Sequence, residues 1–252
     1  MPKLGLQLIV YGTRTAEDLS GVLAEVKEVG YDGAETGTLH QSQGSDKVIA
    51  DFANAGLALT GVHCGYAEFT DEAKVADDIA FLKAAGSKYL ICSGVADINA
   101  IAGYEQSAET FNKVGQMCKD AGVVFCYHNH AWEFKPLEGG KKGIYTLLAN
   151  TDPELVKLNI DVFWVHIGGE VPAEFIAKYA DRVGYYHFKD GEKTADGQTF
   201  IELGQGAVDL VAARAETLKH PLDWIICEQD RSEKAARVSI KESFDYLKRI
   251  GY

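Results

Sequence analysis

The chain has 252 residues, of which 46% are hydrophobic and 25% are charged, a composition typical of a soluble globular protein with one large core. The formal net charge of −12 opposes binding to phosphate backbones and therefore disfavours nucleic acid as a partner. The five cysteines stand singly without CxxC spacing, as buried thiols in a reducing compartment do. No secretory segment precedes the first strand, and no apolar run approaches the roughly 20 residues of a membrane span. We therefore expect one cytoplasmic domain over residues 1–252, either an enzyme or a binding protein.

Apolar segments of strand length alternate with segments of helical spacing along the whole chain. Eight strands are predicted at 4–10, 31–35, 57–63, 88–93, 123–126, 156–161, 183–187 and 224–228. Helices are predicted near 15–29, 47–55, 71–85, 107–121, 143–150, 172–179, 209–218 and 234–250. Thr15 is the expected N-cap of the first helix, with Asp18 as its acidic partner three residues later. Residues 188–206 are predicted to form a polar loop.

Eight strand-helix units of about 30 residues match the usual length of a (β/α)₈ TIM barrel. The competing topology is an open, doubly wound sheet. Such a sheet usually carries a GxGxxG turn after an early strand if it binds a dinucleotide, and no such turn follows the first strand here. The sequence therefore predicts an α/β fold of the (β/α)₈ barrel type.

Four predicted strands end on residues that can bind a metal. The fifth strand leads into His128 and Glu133, and the last three end at Asp161, His187 and Glu228. In a barrel these side chains would meet at one mouth, where carboxylate oxygens and an imidazole suit Mn²⁺, Mg²⁺, Co²⁺ or Zn²⁺. The alternative is that each residue caps a helix or pairs with a surface cation. Four such residues in register favour the divalent metal site.

Several motifs, spread over the whole length, carry a resemblance to a known family. They are the HNHAWEF stretch at 128–134, Asp161 with Trp164, the HFKD run at 187–190, the ELGQG run at 202–206, and Glu228. With these motifs the chain resembles the sugar phosphate isomerase/epimerase superfamily, the xylose isomerase-like TIM barrels. The resemblance implies a metal bound by Glu, Asp, His and Glu from the last four strands.

The fifth strand departs from this pattern. Ketose epimerases of the family have a glutamate where this chain has His128, and the nearest carboxylate, Glu133, lies five residues later. Either Glu133 reaches the metal and leaves His128 free as a base, or His128 is itself the ligand. We favour the first interpretation, because it restores the ligand type of the family and supplies an imidazole that titrates near neutral pH. The expected ligands are then Glu133, Asp161, His187 and Glu228.

The implied reaction is the removal of a proton next to a carbonyl of a ketose or keto-sugar, through an enediolate. An isomerase or epimerase of carbohydrate metabolism is the main hypothesis. A lyase or dehydratase that eliminates a β-substituent from a 3-keto-glycoside or a keto-inositol is the alternative. The catalytic candidates are His128, Glu133 and Glu228.

Further residues could bind the sugar, although each could equally have a structural role. Glu35 and His63 end the second and third strands, and Lys189 lies close behind His187. Trp164 could form an apolar wall against a sugar ring.

Two other functions are alternatives to a keto-sugar enzyme. A related barrel class cleaves DNA at abasic sites with three zinc ions, but the acidic charge and the seven histidines argue against it. A non-catalytic sugar-binding barrel is also possible. No phosphate cradle is visible, so the substrate need carry no phosphate. The resemblance is compatible with a homodimer or a homotetramer.

Overall fold

Eight parallel strands form a closed barrel, and a two-stranded antiparallel hairpin lies outside it. The computed structural model describes residues 1–195, 197–220 and 222–252. In chain order the strands are β1 (Lys3–Gln7), β2 (Gly33–Thr36), β3 (Ala58–Gly65), β4 (Tyr89–Ser93), β5 (Val124–His128), β6 (Val156–Asp161), β7 (Val183–Phe188), β8 (Asp190–Thr194), β9 (Gly197–Ile201) and β10 (Trp224–Cys227). The hairpin consists of β8 and β9, so β10 is the eighth strand of the barrel.

The first strand closes the barrel by pairing on both of its sides. It pairs in parallel with β10, where Leu4 lies opposite Ile225, and with β2, where Leu6 lies opposite Ala34. The remaining barrel ladders are also parallel. The predicted (β/α)₈ barrel is therefore confirmed, and the open doubly wound sheet is excluded.

Helices separate the barrel strands in the chain. They are α1 (Arg14–Glu17), α2 (Leu19–Val29), α3 (Leu39–Gln43), α4 (Ser45–Ala55), α5 (Glu72–Ala84), α6 (Ile101–Ala121), α7 (Gly143–Asn150), α8 (Val162–Ile167), α9 (Pro172–Tyr179), α10 (Leu210–Thr217) and α11 (Ala236–Arg249). Asp18, rather than Thr15, caps α2, because its carboxylate accepts a hydrogen bond from the backbone N–H of Gly21 at 3.0 Å. Within the described ranges, none of these helices is both long and apolar enough to cross a bilayer.

Side chains inside the barrel lie in layers, because alternate residues of a strand face the same side. A buried cluster spans adjacent layers and contains Tyr89, Ile91, Cys126, Tyr185, Trp224 and Ile226. Tyr185 and Ile226 stand two residues before His187 and Glu228. These two polar residues therefore belong to the next layer toward the C-terminal end of the barrel, directly above apolar packing.

The hairpin of β8 and β9 replaces the polar loop that was predicted after the seventh barrel strand. Half of the residues in its two strands are exposed, and neither strand alternates apolar with polar residues, so no strand is predicted from the sequence there. The carboxylate of Asp190 fixes its base. It accepts hydrogen bonds from the backbone N–H groups of Gly191, Gly204, Gly206 and Val208 at 2.9 to 3.1 Å. The hairpin is thereby held beside the mouth of the barrel.

Candidate active site

Three imidazoles and one carboxylate meet at the C-terminal end of the barrel. His63 lies on β3, His128 ends β5, His187 lies on β7, and Glu228 follows β10. One donor atom from each of these four side chains lies within 4.8 Å of the other three. His63 is partly exposed, whereas the other three side chains are buried. We call this set the four-donor group.

Glu35, on β2, holds two of the histidines. Its Oε1 lies 2.9 Å from Nδ1 of His63, and its Oε2 lies 3.0 Å from Nε2 of His187. An ionised carboxylate only accepts hydrogen bonds, so each histidine donates an N–H to it and keeps its other ring nitrogen for the four-donor group. Glu35 was expected to bind substrate, but its side chain is fully buried beneath the two rings.

His128 is held by Asn159, a polar residue of β6. Nδ1 of His128 lies 3.2 Å from the side-chain amide of Asn159, and Oδ1 of that amide has no hydrogen-bond partner among the described residues. Turning the amide would bring Oδ1 to the ring, so that Nδ1–H donates to it and Nε2 is free as a ligand. The His128 ring lies 4.8 Å, centroid to centroid, from the rings of both His63 and His187.

Lys189 is a buried cation next to the four-donor group. Its Nζ lies 3.1 Å from Oε1 of Glu228 and 2.7 Å from Oδ1 of Asp230. The same ammonium lies 4.7 Å from the ring centroids of both Trp164 and Phe200. Lys189 and Trp164, two of the four predicted substrate-binding residues, thus lie against each other at the mouth, with Phe200 of β9 as an additional wall.

The remaining two predicted ligands lie outside the four-donor group. Glu133 is fully buried, and both of its oxygens are bound, one by the Tyr127 hydroxyl at 2.7 Å and the other by the backbone N–H of His130 at 2.8 Å. Asp161 accepts a hydrogen bond from the backbone N–H of Trp164 through Oδ1, while its buried Oδ2 has no hydrogen-bond partner among the described residues. Asp161 therefore has a free oxygen, and Glu133 has none.

Burial and mutual charge set the protonation of these groups. Burial opposes ionisation of Glu35, but the charges and hydrogen bonds of His187 and His63 outweigh it and lower the pKa of Glu35 to about 2. Burial likewise opposes protonation of His187, but Glu35 and Glu228 raise its pKa to about 10. Burial holds the pKa of His128 well below its usual value. In contrast, burial raises the pKa of both Asp161 and Glu133 to about 7.

Comparison with known proteins establishes the family of this chain. The sequence pattern of the xylose isomerase-like TIM barrel family matches residues 23–250. This protein belongs to that family.

Individual relatives of this xylose isomerase-like barrel are named for different enzymatic activities. The inosose dehydratase of Geobacillus kaustophilus is 25% identical over an alignment 270 positions long, which covers 91% of this chain and 86% of that protein. The structure of a sugar phosphate isomerase/epimerase from Parabacteroides distasonis superposes with a TM-score of 0.84 at 20% identity, covering 98% of this chain and 94% of that one. A D-allulose 3-epimerase from Methylomonas sp. gives a TM-score of 0.77 at 14% identity, covering 99% and 98%. At these identities the two solved structures show a common fold only.

The four-donor group of this xylose isomerase-like barrel fits a divalent metal ion. Its donor atoms face one another, and Oε2 of Glu228 and Nδ1 of His187 lie side by side without a geometrically regular hydrogen bond. Three imidazole nitrogens and one carboxylate oxygen are a donor set that suits Zn²⁺, Co²⁺ or Mn²⁺ better than Mg²⁺. His63 enters this set, although the sequence indicated only a contact with substrate.

Two supporting residues of the site were missed from the sequence. Asn159 stands two residues before Asp161 on β6, and Asp230 stands two residues after Glu228. On a strand this spacing places side chains on the same face, so the period of two was the available signal for Asn159. Asp230 follows the end of β10, where no regular period applies.

Proposed function

We propose that this protein is a divalent-metal-dependent enzyme that removes the proton next to the ketone of a keto-sugar and eliminates a β-substituent. The observation that carries the proposal is the four-donor group with the buried ammonium of Lys189 at 3.1 Å from its carboxylate. His63, His128, His187 and Glu228 would hold the metal. The chemistry supplied by a metal held there would be Lewis acidity, which stabilises negative charge that develops next to the ketone.

Asp161 is the base that this arrangement favours. Its Oδ2 is free, and its pKa of about 7 allows it to accept a proton near neutral pH. Lys189 keeps its proton, because the charges of Glu228, Asp161 and Asp230 outweigh burial and raise its pKa. The ammonium can therefore stabilise negative charge on the oxygen of a leaving group.

In the elimination Asp161 takes the proton of the α carbon, and the electron pair of the broken C–H bond becomes the new carbon–carbon double bond. The bond between the β carbon and its oxygen breaks, and the departing oxygen receives the proton that Asp161 removed. The products are an unsaturated keto-sugar and either water or an alcohol, and Asp161 returns to its ionised form.

The position of Glu133 favours elimination over epimerisation. Epimerisation needs proton-transfer groups on both faces of the carbon, and Glu133 and Glu228 were the expected carboxylates. Both oxygens of Glu133 are bound by Tyr127 and His130, and the oxygens of Glu228 contact Lys189 and His187. The name of the Geobacillus kaustophilus relative, a dehydratase, supports the same reaction type.

Epimerisation is the second candidate. If His128 stayed off the metal, its imidazole, which burial keeps neutral, could act as the second proton-transfer group that epimerisation requires. The isomerase/epimerase fold of the solved structures is compatible with this reaction but does not distinguish it from elimination.

Proton NMR in D₂O distinguishes these reactions. The metal-loaded protein is incubated with ketoses, inosose and 3-keto-glycosides. We expect a vinyl signal together with loss of the β-substituent from inosose or from a 3-keto-glycoside. Deuterium uptake with an intact carbon skeleton and a new diastereomer would instead establish epimerisation. Asp161→Asn should abolish proton removal while the metal content stays unchanged.

A further inference from the structure

A cavity of about 390 Å³ adjoins the four-donor group at His63. It lies between the segment that follows β1 and the segment that follows β2, on the C-terminal side of the barrel. His63 is the partly exposed member of the group, while the other three are buried. The cavity therefore reaches the four-donor group at His63, so part of a substrate held at the donor atoms could extend into it.

The walls of this cavity carry no formal charge among the described residues that line it. Leu8, Ile9, Ala16 and Leu39 provide apolar surface. Ile9 is 47% exposed and adds apolar surface at the rim of the cavity. No lysine, arginine, aspartate or glutamate belongs to the lining.

Two polar side chains of the lining are bound to the backbone of the same wall. Oε1 of Gln7 accepts a hydrogen bond from the backbone N–H of Ile9 at 2.6 Å. The hydroxyl of Thr15 donates to the carbonyl of Leu8 at 3.2 Å. Oγ1 of Thr36 has no hydrogen-bond partner among the described residues, but it is closed off from solvent. The hydroxyl groups of a second sugar or of a free polyol would therefore meet fewer partners here than in water.

We propose that this cavity is a subsite for an uncharged, apolar substituent of the substrate. The inference rests on the proposed function and narrows the substrate class to a keto-glycoside with an apolar aglycone. A phosphate group would lose its hydration there without meeting a cation, and a polyol would lose hydrogen bonds to water without replacement. An aromatic or alkyl group would gain from burial against Leu8, Ile9 and Leu39.

The substituent and the elimination are chemically compatible. In a glycoside with its ketone at C3, the proton at C2 lies next to the carbonyl, and the aglycone oxygen at C1 occupies the β position. Loss of the C2 proton and cleavage of the bond from C1 to the aglycone oxygen give an unsaturated keto-sugar. The departing oxygen receives the proton removed from C2, so the aglycone leaves as an alcohol or a phenol.

Binding of unreactive glucosides tests the subsite without turnover. Dissociation constants are measured by calorimetry for the metal-loaded protein with methyl β-D-glucopyranoside, phenyl β-D-glucopyranoside, myo-inositol and glucose 6-phosphate. Neither glucoside has a ketone, so the elimination cannot proceed. We expect the phenyl glucoside to bind about tenfold more tightly than the methyl glucoside, and more tightly than the other two probes.

Two variants act on the cavity in different ways. Ile9→Asp places a charge on its rim, and Ala16→Phe fills part of its volume; both positions are exposed, so the barrel core is not disturbed. Each variant should abolish the preference for phenyl over methyl and leave the affinity for the methyl glucoside within about twofold. Val211→Asp, at a side chain of α10 that is 58% exposed, is the matched control and should retain the preference.

The outcomes separate this inference from the proposed function. Equal affinity for the two glucosides, tighter binding of glucose 6-phosphate, or no binding of any glucoside would overturn the subsite. Elimination from inosose together with equal glucoside affinities would overturn the subsite alone. A preference for phenyl that depends on Ile9 and Ala16, but without elimination from any ketone, would support the subsite and overturn the proposed reaction.

Discussion

Glu35 and His187 are joined across the barrel interior, with Oε2 of Glu35 at 3.0 Å from Nε2 of His187. The other oxygen of the same carboxylate lies 2.9 Å from Nδ1 of His63. One buried anion therefore fixes the orientation of two imidazoles of the four-donor group. Because both bonds come from one side chain, loss of that charge changes two proposed metal ligands at once.

Glu35→Gln should weaken metal binding by about 10- to 100-fold, because an amide cannot accept hydrogen bonds from both rings. Metal affinity is measured by competition with a chromophoric chelator, and Co²⁺ absorption reports whether the coordination geometry is altered. Glu170→Gln, which removes a carboxylate that pairs with Lys142 outside the barrel mouth, is the matched control. Unchanged Co²⁺ spectrum and affinity in Glu35→Gln would show that the carboxylate does not orient ligands.

His128→Phe and Glu133→Gln together identify the ligand supplied by the fifth strand. The sequence favoured Glu133, but the geometry favours His128, because both Glu133 oxygens are already bound. We expect His128→Phe to lower metal affinity at least tenfold and Glu133→Gln to retain full metal content. Metal content after gel filtration provides the measurement. The reverse pattern would restore Glu133 as the ligand.

Lys189→Met should lower kcat by about 100-fold while metal content is retained, because the methionine fills the space but supplies no positive charge. Trp164 and Phe200 would still enclose the side chain. The buried carboxylate of Glu228 and the partly exposed carboxylate of Asp230 would lose the ammonium as a counter-ion, so we also expect the pH profile of kcat to shift. Lys178→Met, at an exposed lysine of α9, is the control. A normal kcat and pH profile would remove Lys189 from the mechanism.

Glu133 should make the protein less stable as the pH rises from about 4.5 to about 7, because burial raises its pKa from 4.5 to about 7. The protonated form is favoured in the folded state, so its stabilising contribution is present in full below the unfolded pKa and is lost as the pH passes through the folded pKa. The difference between the unfolded and folded pKa values of Glu133 corresponds to about 3 kcal/mol in the free energy of unfolding.

Glu133→Gln is the variant that tests this pH dependence. Its side chain is neutral at every pH, and its oxygen and amide can still pair with the His130 backbone and the Tyr127 hydroxyl. Urea denaturation at pH 5 and at pH 7.5 should give a smaller loss of stability for the variant than for the natural protein. Identical losses in the two proteins would mean that Glu133 titrates in its ordinary range.

The barrel was predictable because each of its strands and helices is indicated by a pattern of neighbouring residues in the sequence. Short apolar strands, helical spacing and glycines after helices recur in each unit, and the order of these units alone determines which residues end the strands. The convergence of His128, His187 and Glu228 follows directly from this order. The hairpin was missed because its exposed, polar strands carry no periodic signal.

The separation of Glu133 from His128 along the chain could not show that the Glu133 carboxylate lies outside the four-donor group. A short 3₁₀ turn over Trp132–Phe134 directs its carboxylate back to Tyr127, which is a matter of three-dimensional geometry. The pairing of Glu35 with two histidines was similarly hidden. It joins β2 with β3 and with β7 across the barrel, and 152 positions separate Glu35 from His187.

The carboxylate of Asp190 is balanced by four peptide N–H groups instead of a side-chain cation. The hairpin is thus anchored by hydrogen bonds to the main chain, and these bonds do not depend on the side chains of the hairpin. Substitutions at residues 192–195 and 197–199 consequently leave this anchor intact, whereas Phe200 contacts Lys189. The outer part of the hairpin is therefore a practical place for redesigning selectivity.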